Sequence, residues 1–306
     1  MAFQLRCLNY LPRACLLFAS LTLLAGCPPQ PGVSDTKPRP PRGTDDIVTA
    51  IAENTAKLDR ALWSNSVSVS ARFRDERGQA HAYNLEGTLL FRSPRDLRID
   101  LRHALSERVM GIGSNATDYW VWIEPDLGLL RWGRHEHAHK PCAEKIPVRP
   151  DQLAAVLGFD GLPHETSDFI GPIRKSGHEF DILTYSHRTA AGRWRLDREY
   201  FVDRKPPNLI RLVAFYDEFG RRIMSALLDD HRAAWEGGPL VPHQINISWP
   251  TDDANFNLSA LAIEGRTTVS PRAFIRPAPA DLPAGVRDVV QVDADCDTAP
   301  TSAPSN

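Results

Sequence analysis

Between residues 66 and 264 the apolar residues recur at every second position, in short runs broken by Gly, Pro, Asp and Asn, and this constrains the fold more than any other feature of the chain. Val67, Val69, Ala71 and Phe73 alternate with Ser66, Ser68, Ser70, Arg72 and Arg74. That is the pattern of a strand with one buried and one solvated face. Glu76-Arg77-Gly78-Gln79 reads as a hairpin turn, after which Tyr83, Leu85, Gly87, Leu89 and Phe91 share one face of a second strand. Ser93-Pro94-Arg95-Asp96 turns the chain again, and Leu97, Ile99 and Leu101 alternate with Arg98, Asp100 and Arg102. Further strands are expected at 107–114, 118–124, 128–134, 168–174, 179–188, 193–203, 209–217, 222–231, 243–249 and 254–264. Two segments break the alternation. Thr44 is an N-cap candidate, Asp45 and Asp46 favour the first turn of a helix, and Ile47, Ile51, Leu58 and Leu62 keep helical spacing, which predicts a helix over 45–62. Pro150-Asp151 opens a short helix carrying Leu153, Val156 and Leu157 and ending at Gly158. The expected fold is therefore mainly β: a single large curved antiparallel sheet with an N-terminal helix and a short lid helix. A sheet of about thirteen strands curls rather than staying flat. With one helix inside the curl and one over its mouth, the inner face encloses an apolar hollow of the kind that takes ligands.

The first 27 residues carry an address. Arg6 and Arg13 form a basic region, and Ala14 to Ala25 is apolar but shorter than the ~20 residues that span a bilayer. The segment ends in Leu24-Ala25-Gly26-Cys27, with small residues before a cysteine, as in a bacterial lipobox. Residues 1–26 then read as a lipoprotein signal peptide and Cys27 as the lipidated residue. Several acyl chains at roughly 0.8 kcal/mol per buried CH₂ anchor stably where one does not. Residues 27–43 hold six prolines and form a semi-rigid spacer. The folded domain is expected over 44–270, followed by a Pro-rich, mostly disordered tail over 271–306. Pro28 follows the cysteine where an aspartate resembles an inner-membrane retention signal, so the anchor is expected in the outer membrane, facing the periplasm.

Formal net charge is −2, which gives no bulk electrostatic reason to bind nucleic acid. A nucleophile elbow, a zinc HExxH helix, a carboxylate-pair signature and a P-loop are all missing from the sequence, so neither an enzyme nor a cofactor is expected. His135, His137 and His139 would line one face of a strand, with Cys142 close behind, and these residue types ligate zinc or copper. Pro141 and the polar neighbours favour a solvated loop there instead. Once Cys7, Cys15 and Cys27 are set aside, Cys142 and Cys296 remain, either bonded in an oxidising compartment or as two thiols.

Four features resemble the LolA/LolB group of periplasmic lipoprotein carriers and receptors. They are the lipobox and spacer followed by a helix and the Val67–Phe73 strand; Gly87-Thr88-Leu89-Leu90-Phe91-Arg92-Ser93-Pro94; Leu101-Arg102-His103-Ala104-Leu105-Ser106; and Ile146-Pro147-Val148 with Leu153, Val156-Leu157-Gly158 and Leu162-Pro163. The carrier has an arginine immediately before the proline where this chain has Ser93, which with the lipobox favours an anchored, receptor-like role over a soluble shuttle. The resemblance implies a half-barrel whose inner face holds acyl chains of lipoproteins or lipids during sorting, with a periplasmic carrier as partner, and the chain is expected to be a monomer. It also implies that Leu105 touches a membrane. The cavity candidates are Val67, Val69, Phe73, Leu85, Leu89, Phe91, Leu97, Ile99, Leu101, Trp120, Trp122, Leu153, Val156 and Leu157. The alternatives are a sensor of mislocalised lipoproteins or a structural envelope lipoprotein built on the same fold.

Overall fold

The structure, a computed structural model, describes residues 43–296 apart from 76, 105–107, 125–126, 139–145, 147–149, 158–160 and 190. The chain opens with α1 (Thr44–Ala56), entered through Gly43, whose N–H donates to the Asp46 carboxylate at 2.9 Å. Six strands follow as a meander: β1 (Ala61–Arg74), β2 (Ala80–Arg92), β3 (Asp96–Arg102), β4 (Arg108–Ser114), β5 (Asp118–Ile123) and β6 (Leu129–Arg134). A connection containing the short α2 (Pro150–Val156) leads to the second meander. This comprises β7 (Phe169–Ser176), β8 (Phe180–Arg188), β9 (Trp194–Asp203), β10 (Ile210–Tyr216), β11 (Arg222–Ala233), β12 (Leu240–Trp249) and β13 (Ala254–Ala260). The strands β14 (Glu264–Arg266) and β15 (Asp288–Gln291) complete the set.

All of these strands join one sheet in the order β15-β6-β5-β4-β3-β2-β1-β13-β12-β11-β10-β9-β8-β7, with β14 beside β1. The first meander steps outward from β1, and the second returns from the opposite edge to pair β13 with β1. Register puts like with like across the inner face. Leu89 faces Ile99, Ile99 faces Ile112, and Ile112 faces Val121. On the other side, Val69 faces Leu258, Leu258 faces Ile245, and Ile245 faces Leu228. These rows merge in one continuous apolar core that includes Ile47 and Ile51 of α1 and Leu153, Val156 and Leu157 at α2. Burying each such side chain contributes roughly 1.5–3 kcal/mol.

Two expectations need correction. Helix α1 stops at Ala56, six residues short of the predicted end, because Leu62 already belongs to β1, opposite Phe91. Leu58 and Leu62 continue the helical spacing by coincidence: one lies in the connection, the other inward on a strand. The C-terminal segment 271–296 is not disordered. It crosses the outer face in short 3₁₀ turns, buries Phe274 and Val286, and adds β15 parallel to β6, the one parallel pairing among the described residues.

Candidate lipid-binding face

The inner face is where the alternation points. Val67, Val69, Phe73, Leu85, Leu89, Phe91, Leu97, Ile99 and Leu101 all lie there, none more than 2% exposed. Leu153, Val156 and Leu157 meet the same cluster from α2. These twelve predicted candidates converge on one surface, and that surface is filled by the protein's own side chains. Among the described residues, five buried apolar side chains on the two helical segments join that cluster, Ile47, Ile51, Leu153, Val156 and Leu157, together with Ala138, Ile146 and Val292 from connecting segments.

Trp120 and Trp122 do not belong to this face. On β5 it is Tyr119, Val121 and Ile123 that point inward, while the two indoles stand on the outer face with Leu130 and Val286. The cause lies on the neighbouring strand. Gly113 faces Trp120 and Gly111 faces Trp122 in register, and the rings lie flat over the glycines. A Cβ at Gly111 would sit 2.1 Å from Trp122 Nε1, and one at Gly113 2.2 Å from the Trp120 ring. The glycines thus make room for indoles rather than bending the sheet, an aromatic cover over glycine within a sheet. The C-terminal segment then closes over the rings, and the Arg276 guanidinium stacks 3.7 Å from the Trp132 ring centroid.

Helix α1 is held at its C-terminal end by one side chain. Asn54 donates from Nδ2 to the Leu240 carbonyl at 3.0 Å and accepts the Leu240 N–H at 2.8 Å, taking up both backbone groups of that residue at the start of β12. Beneath it lies a cavity of about 30 Å³ lined by Ile51, Asn54 and Thr55 of α1 and by Leu228, His231 and Leu240 of the sheet. Burial, and then the nearby Arg211, pushes the His231 imidazole down to about 4, and its Nδ1 is buried with no hydrogen-bond partner among the described residues. The helix is therefore docked through few apolar contacts and one polar clamp. A larger depression of about 590 Å³ lies on the solvated face instead, lined by Ser66, Ser68, Glu86, Arg102 and Arg108.

Among the described residues, His135 and His137 have different partners. His135 and His137 sit in a 3₁₀ turn, so the every-second-residue geometry of a strand is lost. Within 3.0 Å of His135 Nε2 are the Ser114 hydroxyl and the Asn115 carbonyl, whereas His137 Nδ1 lies 3.0 Å from the Asp293 carboxylate. Asp293 is fully buried and also accepts the Arg134 N–H and the Gln291 side chain. Burial raises its affinity for a proton, but these donors together hold it below the usual carboxylate range. His139, Cys142, Leu105 and Cys27 lie outside the described residues. Cys296 is disulfide-bonded. Among the described residues no helix is long and apolar enough to cross a membrane.

No family model and no curated protein matches the sequence. Among solved structures the chain is similar to a LolA superfamily protein from Nitrosomonas europaea, with 14% identity and a TM-score of 0.45 over 75% of this chain and 97% of that one. It is also similar to a putative outer membrane lipoprotein-sorting protein domain from Vibrio parahaemolyticus, with 10% identity and a TM-score of 0.45 over 76% and 97% of the two chains. A DUF1329 family protein from Desulfovibrio piger gives 12% identity and a TM-score of 0.47 over 76% and 96%. The observed architecture, a single curved sheet with helical segments packed on its inner face, is the one expected of the LolA/LolB-like half-barrel.

Proposed function

We propose that this chain is an envelope lipoprotein, anchored through Cys27 to the outer membrane on its periplasmic side, that binds acyl chains of lipoproteins or lipids on the inner face of its sheet. The observation that carries the reading is the imbalance on that face. Among the described residues, a broad apolar surface contributed by strands from β1 to β13 is covered by a few buried side chains from two short helical segments and their connections. Such a cover is small enough to be displaced. An acyl chain taking its place would regain roughly 0.8 kcal/mol per buried methylene. No covalent chemistry is needed; binding and release are the whole activity. A periplasmic carrier handing over its cargo is the partner that suits an anchored acceptor.

The filled state of the inner face supports a second reading, in which the same sheet is a structural or sensing lipoprotein that takes no lipid. Native mass spectrometry of residues 42–306 with a diacylated peptide separates the two. A one-to-one adduct is expected, together with faster hydrogen exchange in α1. No adduct and an undisturbed α1 would leave only the second reading.

A further inference from the structure

Three hairpin turns share one construction, and all three project from the same edge of the sheet: Asp75 to Gln79 between β1 and β2, Thr189 to Arg193 between β8 and β9, and Asp217 to Arg221 between β10 and β11. In each, the fourth residue is a glycine in the left-handed region: Gly78 at φ 77°, Gly192 at 74° and Gly220 at 74°. Its N–H donates to the carbonyl of the first residue, at 2.9, 2.8 and 2.9 Å. The N–H of the fifth residue donates to the side chain of the first, from Gln79 to Asp75 at 2.8 Å, from Arg193 to Thr189 at 3.2 Å and from Arg221 to Asp217 at 2.9 Å. Turns tied in this way present their tips ready-made, with little ordering cost on contact.

What the two neighbouring tips on β8 to β11 present is unusual for a solvated surface. Phe219 stands at a turn apex, 72% exposed, with the Arg221 guanidinium 5.2 Å from its ring centroid. Trp194 is 43% exposed where β9 begins, opposite Arg188 in register and flanked by Arg193 and Arg195. Five exposed arginines gather here, 188, 193, 195, 221 and 222, against Asp168, Asp217 and Glu218, in a chain whose overall charge is −2. Arg221 pairs with Asp217, while among the described residues Arg188, Arg193, Arg195 and Arg222 form no ion pair. Exposed aromatic rings ringed by unpaired arginines match the boundary of a bilayer, where rings enter the headgroup region and cations meet lipid phosphates.

We propose that this edge docks on an anionic phospholipid surface, with Phe219 and Trp194 entering the boundary between headgroups and acyl chains. The docking goes beyond acyl binding and does not rest on it, since a sheet with a permanently closed inner face would present the same edge. The test is flotation of residues 42–306, which form one compact unit without the anchor, on phosphatidylcholine vesicles with and without phosphatidylglycerol. Binding to the mixed vesicles is expected, with loss at high salt. The double variant Phe219→Ser with Trp194→Ser is expected to bind about tenfold more weakly. Arg193→Gln and Arg195→Gln should each weaken it by about fivefold. Both aromatic positions are exposed, so an unchanged melting temperature accompanies the loss. Flotation equal to the parent in the double variant would overturn the proposal. So would absence of flotation, including the case in which the same arginines capture an acidic protein instead. Adduct formation with the diacylated peptide, measured on the same variants, reads cargo binding separately and is expected to persist.

Discussion

His231 is neutral in the folded protein down to about 4, whereas in the unfolded chain it titrates near 6.5. Between those values the unfolded state binds more protons, so stability falls as pH falls through that window. Arg211, Asp229, Asp230 and His243 face the same imidazole, and its partial exposure discounts the effect to on the order of 1–2 kcal/mol. Urea melts at pH 7 and pH 4.5 should show His231→Gln losing less stability on acidification than the parent; equal losses would contradict the assignment. At Gly111 the expected penalty is steric. Gly111→Ala drives a methyl into the Trp122 indole and should cost about 1–3 kcal/mol, with a change in tryptophan fluorescence. An unaltered melt and spectrum would show that the ring can step aside freely. Neither residue announced its role in the sequence. The glycines had a reason that depended on which face of β5 the indoles took, and two alternating faces of mixed aromatic residues gave no sign of it. His231 lies 175 or more residues from every residue of α1, and only the sheet brings the two together.

Among the elements, α1 and the C-terminal segment are the two that set whether the faces of the sheet are open. Asn54→Ala removes both clamps on Leu240 and leaves two partly buried backbone groups unpaired, at about 1–3 kcal/mol. Hydrogen exchange should then accelerate in α1 well before it does in β1; uniform acceleration would mean that the helix does not open as a separate unit. In the C-terminal segment, Asp293→Ala leaves the Arg134 N–H, the Gln291 amide and His137 without their shared acceptor, and should cost about 1–3 kcal/mol. Limited proteolysis checks this, with cleavage expected first between residues 271 and 292, and unchanged resistance as the contrary result. The short α2 was legible because Pro150-Asp151 and its apolar spacing agree. The end of α1 was not, because Leu58 and Leu62 fit a helix and a strand equally well. The C-terminal segment was missed because its anchors, Phe274, Val286 and Val292, are far apart among prolines and keep no period.

At the scale of the whole molecule, period-two alternation carried the fold class almost entirely, since each inner row of the sheet is a row of residues already marked by their spacing. Strand order was open to inference because hairpin turns separate consecutive strands. The pairing of β13 with β1 and the parallel β15 were not, being contacts between distant segments. Whether the inner face is open to a ligand was equally hidden, because burial against a lipid and burial against a helix select the same Leu, Ile, Val and Phe. The central claim is that α1 and α2 stand in for acyl chains. The most direct measurement is photo-crosslinking of residues 42–306 with a diacylated peptide carrying a diazirine in its acyl chain, followed by mass mapping of the adducts. The account predicts labels on Leu85, Leu89, Phe91 and Ile99, residues that are otherwise buried. Labels confined to the outer face around Trp120 and Trp132, or none, would contradict it.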